Sequence, residues 1–382
     1  MSSPRPGIHL RYTFESGQPH GQHGAQIENP LFDLLSQLQA HGSISAAARA
    51  QGMSYRHAWG SLKHWEEVLG SPLVLWSQGK HARLTPFAQR LLWAERQARV
   101  RMTPHVEALR AELARAFALA ADAALEVLEI FASHDLGLPK LQTLAEERDG
   151  LHIGLRFAGS QEALRALNAG RCRVAGFHVA QQADSDSMMA RVLRPLLQPG
   201  KHKLIGSHWR RQGWIWRKGD ARPDSVEALR TGRWRFVSRQ PESGTRLLTD
   251  HLLAQAGLRA DEVPGYTTCI EDTHVAVAAA IAAGTADVGI GIEAAAAEAG
   301  LAFSPLVDEN YYLLCLKEDL ETPSIRTLRE RLASPDWAEA LAPLPGYGVR
   351  QPGEVLSLTE ALPWWHYARP KRDPAKPARS RA

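Results

Sequence analysis

The spacing of apolar residues changes character twice along this chain, and the changes divide it into parts. Between Pro30 and His41, Leu31, Leu34, Leu35 and Leu38 recur at three- and four-residue steps, which predicts an amphipathic helix. Ser45 to Ala50 read as a second, short helix whose alanines, Ala46 to Ala48, let a neighbour approach closely. Gly52 stands where the chain must turn sharply, and a residue without Cβ takes φ > 0 there at no steric cost. The Ser54 hydroxyl is placed to accept from a free N–H at the start of a third helix running to about Leu69. On that helix Ala58, Leu62, Trp65 and Leu69 form the apolar stripe. Past Gly70, LVLW and HARLT bracket a Ser77-Gln78-Gly79-Lys80 turn, which predicts a two-stranded wing. Three helices, a short turn and a wing make a winged helix-turn-helix.

Thr85-Pro86 then opens a long helix, with Thr as cap and Pro at the first position. It is expected to run from Phe87 to about Met102, with a second stretch after Pro104 to about Ala121. Ala88, Leu91, Leu92, Glu95 and Ala98 fit a helical seam. A plain linker would carry such a seam too, but a long helix leaving a small domain must bury its stripe somewhere, so dimerisation is the favoured reading.

From Leu125 the pattern becomes alternating strands and helices. LEVLEIFA, LHIGLRF and RVAGFHV read as strands separated by two helical runs, an order that implies a parallel sheet covered by helices. A second set follows: KLIGSHW and WIWRKG as strands, a helix near Ser225, strand WRFVS, a helix from Ser243 to Gln255, a helix from Thr273 to Ala283 and strand ADVGIGI. YYLLCLK is a late buried strand, trailed by helices at 324–332 and 334–341. Two α/β units with a return strand suggest a two-lobed, periplasmic-binding-protein-like (type II) module. The fold class is therefore multidomain: an N-terminal all-α winged helix-turn-helix with a linker helix, then the two-lobed α/β domain. The expected boundaries are 1–26 (loosely ordered apart from a short strand at 8–14), 27–86, 87–122, 123–348 and 349–382.

Composition adds little to this division. Net charge is +4 over 382 residues, too mild to argue nucleic acid by itself. Its distribution is more telling, with nine Lys/Arg against three Asp/Glu between Arg49 and Arg101. Three distant cysteines form no metal or redox spacing, and no HxxxH or HExxH pair occurs among the sixteen histidines. No apolar run reaches the ~20 residues of a membrane helix, and the first residues lack the apolar core of a secretory signal. Cytoplasmic residence without a membrane partner is the expectation. The tail from Arg369, with six Lys/Arg against one Asp, reads as a disordered solubilising segment.

Two sets of residues carry candidate chemistry. Ser54, Tyr55, Arg56 and His57 open the second helix of the helix-turn-helix, where side chains reach base edges, while Lys63, Lys80 and Arg83 are better placed for phosphates. In open α/β sheets ligands bind beyond the carboxyl ends of the strands. Ser133 and His134 follow the first strand, Ser160 the second, and His178 lies in the third. In the other half Arg239 follows a strand, and Ser243, Gly244, Thr245 and Arg246 begin a helix whose free N–H groups favour an anion. A Ser or Thr at one helix start is usually only a cap; several turns with Arg beside them point further. His274 joins this set, although a single histidine in an α/β domain is more often a hydrogen-bonded structural residue.

The stretch GSISAAARAQGMSYRHAW, Gly42 to Trp59, resembles the N-terminal domain of the molybdate-responsive regulators, relatives of the LysR-type DNA-binding domain, over about residues 27 to 100. ASHD, RVAGFHV, FVSRQPESGTRLL, THVAVAAAIAAGTADVGIGI and LPGY are similar to the binding-protein-like domain that follows such DNA-binding domains, over Leu125 to Tyr347. The matching positions are Ser133, His134, Gly176, Arg239, Ser243, Gly244, Thr245, Arg246, His274 and Asp287. The resemblance implies ligand-responsive transcriptional control by a homodimer or dimer of dimers on double-stranded operator DNA. It implies no cofactor, and an oxyanion such as molybdate or tungstate as effector; a small carboxylate such as formate suits the same donors. Two other readings stay open: an anion-binding protein or enzyme using the same cleft, and a DNA-binding regulator with a degenerate sensor. No GxSxG, Walker loop or acid pair supports catalysis.

Overall fold

A computed structural model describes residues 29–76, 82–121 and 127–366. The expected strand at 8–14, the wing turn with Lys80, and the basic tail lie outside those residues.

Helix α1 (Pro30–His41) starts as the sequence dictates: Asn29 Oδ1 accepts from Leu31 N at 3.1 Å, Pro30 takes the first turn, and Gly42 closes the helix at φ 63°. Helix α2 (Ile44–Ala50) is capped by Ser43, and Gly52 turns the chain at φ 64° into α3 (Tyr55–Leu69). Ser54 Oγ accepts from His57 N at 3.2 Å, the predicted cap. Strands β1 (Val74–Trp76) and β2 (Ala82–Leu84) pair antiparallel as the wing. Glu66 on α3 fixes the wing root, its Oε1 accepting from Leu73 N at 2.8 Å and Val74 N at 3.3 Å. The leucines of α1 pack with Ala47, Ala48, Ala58 and Leu62 in one core.

Helix α4 (Pro86–Ala121) differs from expectation by running 36 residues without a break. A proline removes one helical donor, yet the helix passes position 104 intact, supported by its packing on elements of the second part of the chain. The first half of its seam is spent inside the N-terminal domain, where Ala88 and Leu92 join the core. Arg99 pairs with Glu95 and Asp33, and Arg96 donates to Ser36 Oγ at 2.9 Å, tying α4 to α1.

The second part begins with β3 (Val127–Ala132), α5 (Leu138–Asp149), β4 (His152–Phe157), α6 (Ser160–Asn168) and β5 (Val174–Ala180), all at predicted places. Next comes α7 (Met188–Leu193), and then one strand, β6 (His202–Trp216), where two were expected. Its middle carries His208, Arg210 and Gln212, polar residues that break the apolar pattern although the backbone stays extended. Strand β7 (Phe236–Arg239), α8 (Gly244–Gln255), β8 (Ile270–Glu271), α9 (His274–Ala282), β9 (Val288–Ile292) and α10 (Glu293–Glu298) follow. Strand β10 (Ala302–Leu316) is twice as long as YYLLCLK suggested, because Asp308, Glu309 and Asn310 mask its first half. The end of the chain supplies α11 (Pro323–Ala333), α12 (Pro335–Leu341), β11 (Tyr347–Val349), β12 (Val355–Leu356) and α13 (Leu358–Ala361).

The sheet order is β4-β3-β5-β10-β6-β9-β7-β8, with β11 and β12 on β6. Strands β3, β4 and β5 are parallel, as are β7, β8 and β9. The two 15-residue strands β6 and β10 run antiparallel between these sets and belong to both lobes. Each lobe has apolar cores on both sheet faces: Phe177 and Trp364 lie in one and Leu128 and Trp337 in the other of the first lobe, Val237 and Trp214 in those of the second.

Candidate anion cleft and helix-turn-helix interface

The carboxyl ends of β3, β4, β5, β7 and β8 converge on a cavity of about 190 Å³ between the lobes. From the first lobe come Ser133, His134, Phe157, Gly159 and His178; from the second, Arg239, Gln240, Ser243, Gly244, Thr245, Asp272, Thr273 and His274. Arg210 forms part of the floor. The lobes touch at the rim: a Cβ on Gly159 would lie 3.3 Å from the Glu242 carbonyl oxygen. Glu242 itself holds φ 71°, a strained conformation for a residue with a side chain, next to the α8 cap.

Charge in this cavity is unevenly paired. Arg210 is buried and satisfied, its Nε donating to Glu309 at 3.0 Å and its Nη1 to Asp135 at 3.3 Å. Asp135 also accepts from Tyr347 Oη at 3.0 Å and Gly137 N at 2.7 Å. Burial opposes the Asp135 charge, but His208, His178 and Arg210 around it hold the carboxyl well below its usual range. Arg239 is different. Its guanidinium donates to Gln240 Oε1 at 3.1 Å and to the carbonyls of Glu271 and Asp272 at 3.2 and 2.7 Å. Among the described residues no carboxylate pairs with it, and burial, with Arg210 nearby, pushes its pKa below the ordinary value. A guanidinium remains a cation at neutral pH; Asp272 and Glu309 favour its charge from a distance, but the site holds a buried cation with no direct carboxylate partner among the described residues.

The histidines answer that charge by staying neutral. Burial, then Arg239, lowers His134 to about 3; burial, then Arg210, lowers His178 to about 4; His274 falls well below 6.5 for the same reasons. His134 Nδ1, His178 Nε2 and His274 Nδ1 are buried ring nitrogens with no hydrogen-bond partner among the described residues. Ser133 Oγ and His178 Nδ1 share a bond of 2.8 Å, and Thr245 Oγ1 lies 3.5 Å from His274 Nε2. Ser133, His178 and Asp135 do not make a proton relay, because His178 Nε2 stands 3.8 Å from Asp135, beyond hydrogen-bond length. Helix α8 presents its N-terminus to the cavity, with Ser243 Oγ already accepting from Arg246 N at 3.1 Å. The arrangement is suited to holding an anion.

Residues 31–89 match the bacterial regulatory helix-turn-helix proteins of the lysR family, and residues 141–333, half of the chain, match the PBP superfamily domain. The chain belongs to the PBP superfamily. Its N-terminal domain, residues 31–89, matches the LysR type. It is similar to the uncharacterized protein YvgK of Bacillus subtilis (strain 168), 29% identical over 207 residues, which are 53% of this chain and 65% of that one. The chain thus spans just under two-thirds of that relative's length. The molybdenum-pterin-binding protein MopB of Rhodobacter capsulatus is 36% identical over 75 residues, 19% of this chain and 28% of that protein. Among solved structures, a hydrogen-peroxide-bound OxyR mutant of Corynebacterium glutamicum is 14% identical, with 82% of this chain and 91% of that one covered and a TM-score of 0.40.

The PBP-like domain brings most of the predicted ligand residues together: Ser133, His134, His178, Arg239, Ser243, Gly244, Thr245 and His274 all line the cleft. Ser160 is buried at the start of α6 with an unpartnered Oγ, but outside the lining. Arg246 turns away, paired with Asp250 at 3.1 Å and lying 4.3 Å over the Tyr266 ring. Asp287, matched by resemblance, braces Arg235 and Arg217 outside the cavity lining. Arg210 was not among the predicted residues; it lies in the middle of a strand, beside Arg211. Nor were Arg101 and His105, which reach the cavity from α4.

In the LysR-type domain, Tyr55, Arg56 and His57 are exposed on the first turn of α3, and Tyr55 stacks on Trp59 with ring centroids 6.4 Å apart. Arg83 points outward from β2. Lys63 is engaged, 2.7 Å from Glu66 and 5.1 Å over the Trp59 ring. Lys80 lies outside the described residues.

Proposed function

We propose that the chain is a one-component transcription regulator that binds double-stranded operator DNA through α3 and the wing, and binds a small anion between its lobes. The observation that carries the effector reading is Arg239: a buried cation without a carboxylate partner among the described residues, at the mouth of α8 and among neutral imidazoles with free ring nitrogens. An anion there supplies the missing charge and the missing hydrogen bonds at once. Tetrahedral oxyanions such as molybdate or tungstate use many donors at all angles; formate uses fewer. The name of the similar Rhodobacter protein supports the molybdenum class. Two half-sites read by a homodimer, or by a dimer of dimers, fit a helix-turn-helix, and Leu109, 48% exposed on the outer half of α4, offers apolar surface for a second chain. No described helix is long and apolar enough to cross a membrane, and on this reading the protein works on operator DNA in the cytoplasm.

The test is a thermal-shift panel on the full-length protein with molybdate, tungstate, sulfate, phosphate and formate. Binding only to the native state adds RT ln(1 + [L]/Kd), about 2.7 kcal/mol at 100-fold excess over Kd. A shift with one of these anions that Arg239→Ala abolishes identifies the effector and its site; a flat panel removes the anion reading and leaves the DNA-binding half.

A further inference from the structure

Helix α4 does more than connect the two parts. It packs on β4 of the first lobe and α9 of the second, and so crosses the mouth of the cleft. Arg101 and His105, four residues apart, occupy one face of the helix and both border the cavity. Arg101 makes a two-pronged pair with Glu271, Nε to Oε2 at 3.0 Å and Nη2 to Oε1 at 2.7 Å. The Glu271 side chain is only 3% exposed, and Arg101 is its ion-pair partner among the described residues. Glu271 sits opposite Arg239 in the β7–β8 ladder, and its carbonyl oxygen accepts from Arg239 Nε at 3.2 Å. His105 is exposed and has no hydrogen-bond partner among the described residues.

We propose that Arg101 and His105 are effector-binding residues, so that the anion is held between the cleft floor and the helix that carries the DNA-binding domain. This rests on the anion reading of the cleft given above. Glu271 takes Arg101, and no described carboxylate takes Arg239. An anion beside Arg239 adds negative charge to a mouth that already holds Glu271 and Asp272, and Arg101 becomes shared between it and Glu271. His105, one turn on, supplies a ring N–H from the open side. Occupancy therefore bears on α4 directly, without first passing through a rearrangement of the lobes.

The experiment measures titration of molybdate, phosphate and formate by calorimetry into full-length wild type, His105→Ala, Arg101→Gln and Arg239→Ala. The anion that binds wild type should bind His105→Ala and Arg101→Gln at least tenfold more weakly, with the unfolding temperature of ligand-free His105→Ala unchanged. Arg101→Gln strands the Glu271 carboxylate, so Arg101→Gln with Glu271→Gln is the folded control and should show the same loss. Binding that requires Arg239 but is indifferent to both α4 positions overturns this inference alone. If no probe binds wild type, the anion reading of the cleft falls and takes this inference with it.

Discussion

Arg239 and Glu271 face each other across the β7–β8 ladder, and Glu271 serves two arginines with two different groups. Its carbonyl takes Arg239 Nε at 3.2 Å, and its carboxylate takes Arg101 at 2.7 and 3.0 Å. One residue thus joins the floor of the cleft to the helix above it, while no described carboxylate pairs directly with Arg239.

Because Arg239 has no described carboxylate to abandon, its removal should cost binding rather than folding. Arg239→Ala is expected to unfold within a few degrees of wild type and to lose the anion-induced thermal shift. Arg239→Lys keeps the charge but not the planar fork, and should weaken anion binding by tenfold or more. Wild-type affinity in the lysine variant would contradict a bidentate contact.

The opposite holds for Asp135, which is fully buried and takes bonds from Arg210, Tyr347 and Gly137. Truncating one partner of such a network strands the others. Asp135→Ala should destabilise by about 3–5 kcal/mol in urea denaturation. A loss below about 1 kcal/mol would mean that Glu309 alone suffices for Arg210.

Stability should depend on pH through the cleft histidines. Burial lowers His134 to about 3 and His178 to about 4, and puts His274 well below 6.5. The unfolded chain protonates them near 6.5 and so holds more protons than the folded one between roughly pH 4 and 6.5. Their contribution is complete above that window and is lost as pH falls through it, with a slope of up to ~1.4 kcal/mol per pH unit per histidine. Urea midpoints at pH 7.5, 5.5 and 4.5 should fall in that order, and His134→Asn should flatten the decline. Equal midpoints would refute the assignment. Asp135 and Glu309, both held low, give their loss below about pH 4.

On the DNA side, base contacts specify and phosphate contacts position. Arg56→Ala should lose preference for operator over random DNA. Arg83→Ala should weaken both alike and reduce the salt slope by about 1. Fluorescence anisotropy over a salt series separates the two, and identical losses would erase the distinction.

The elements that obey local rules were legible in the sequence. Ser54 and Gly52 act where their chemistry places them, and α1, α3, β3 to β5 and α9 lie within a few residues of expectation; the caps Asn29 and Ser43 were not read. What stayed hidden depends on tertiary packing. His208, Arg210 and Gln212 make β6 look like two strands because their partners, Asp135 and Glu309, come from 75 and 99 residues away in the case of Arg210. Most cleft residues were found because strand ends are readable. Arg101 and His105 were not, since nothing local says that a connecting helix will cross the cleft between its own chain's lobes.

Two strands shared by both lobes make a stiff spine, which yields to twisting more readily than to free hinging. Small rotations at the cleft therefore need amplification, and α4 is long enough to supply it. From Arg101 to Pro86 the helix runs ~22 Å at ~1.5 Å per residue, so a tilt of about 5° at the cleft would move its far end by ~2 Å. Across the pair of such levers in the proposed dimer, that displacement would be a change of gauge: the spacing between two reading heads, and with it the spacing of the bases they can reach together.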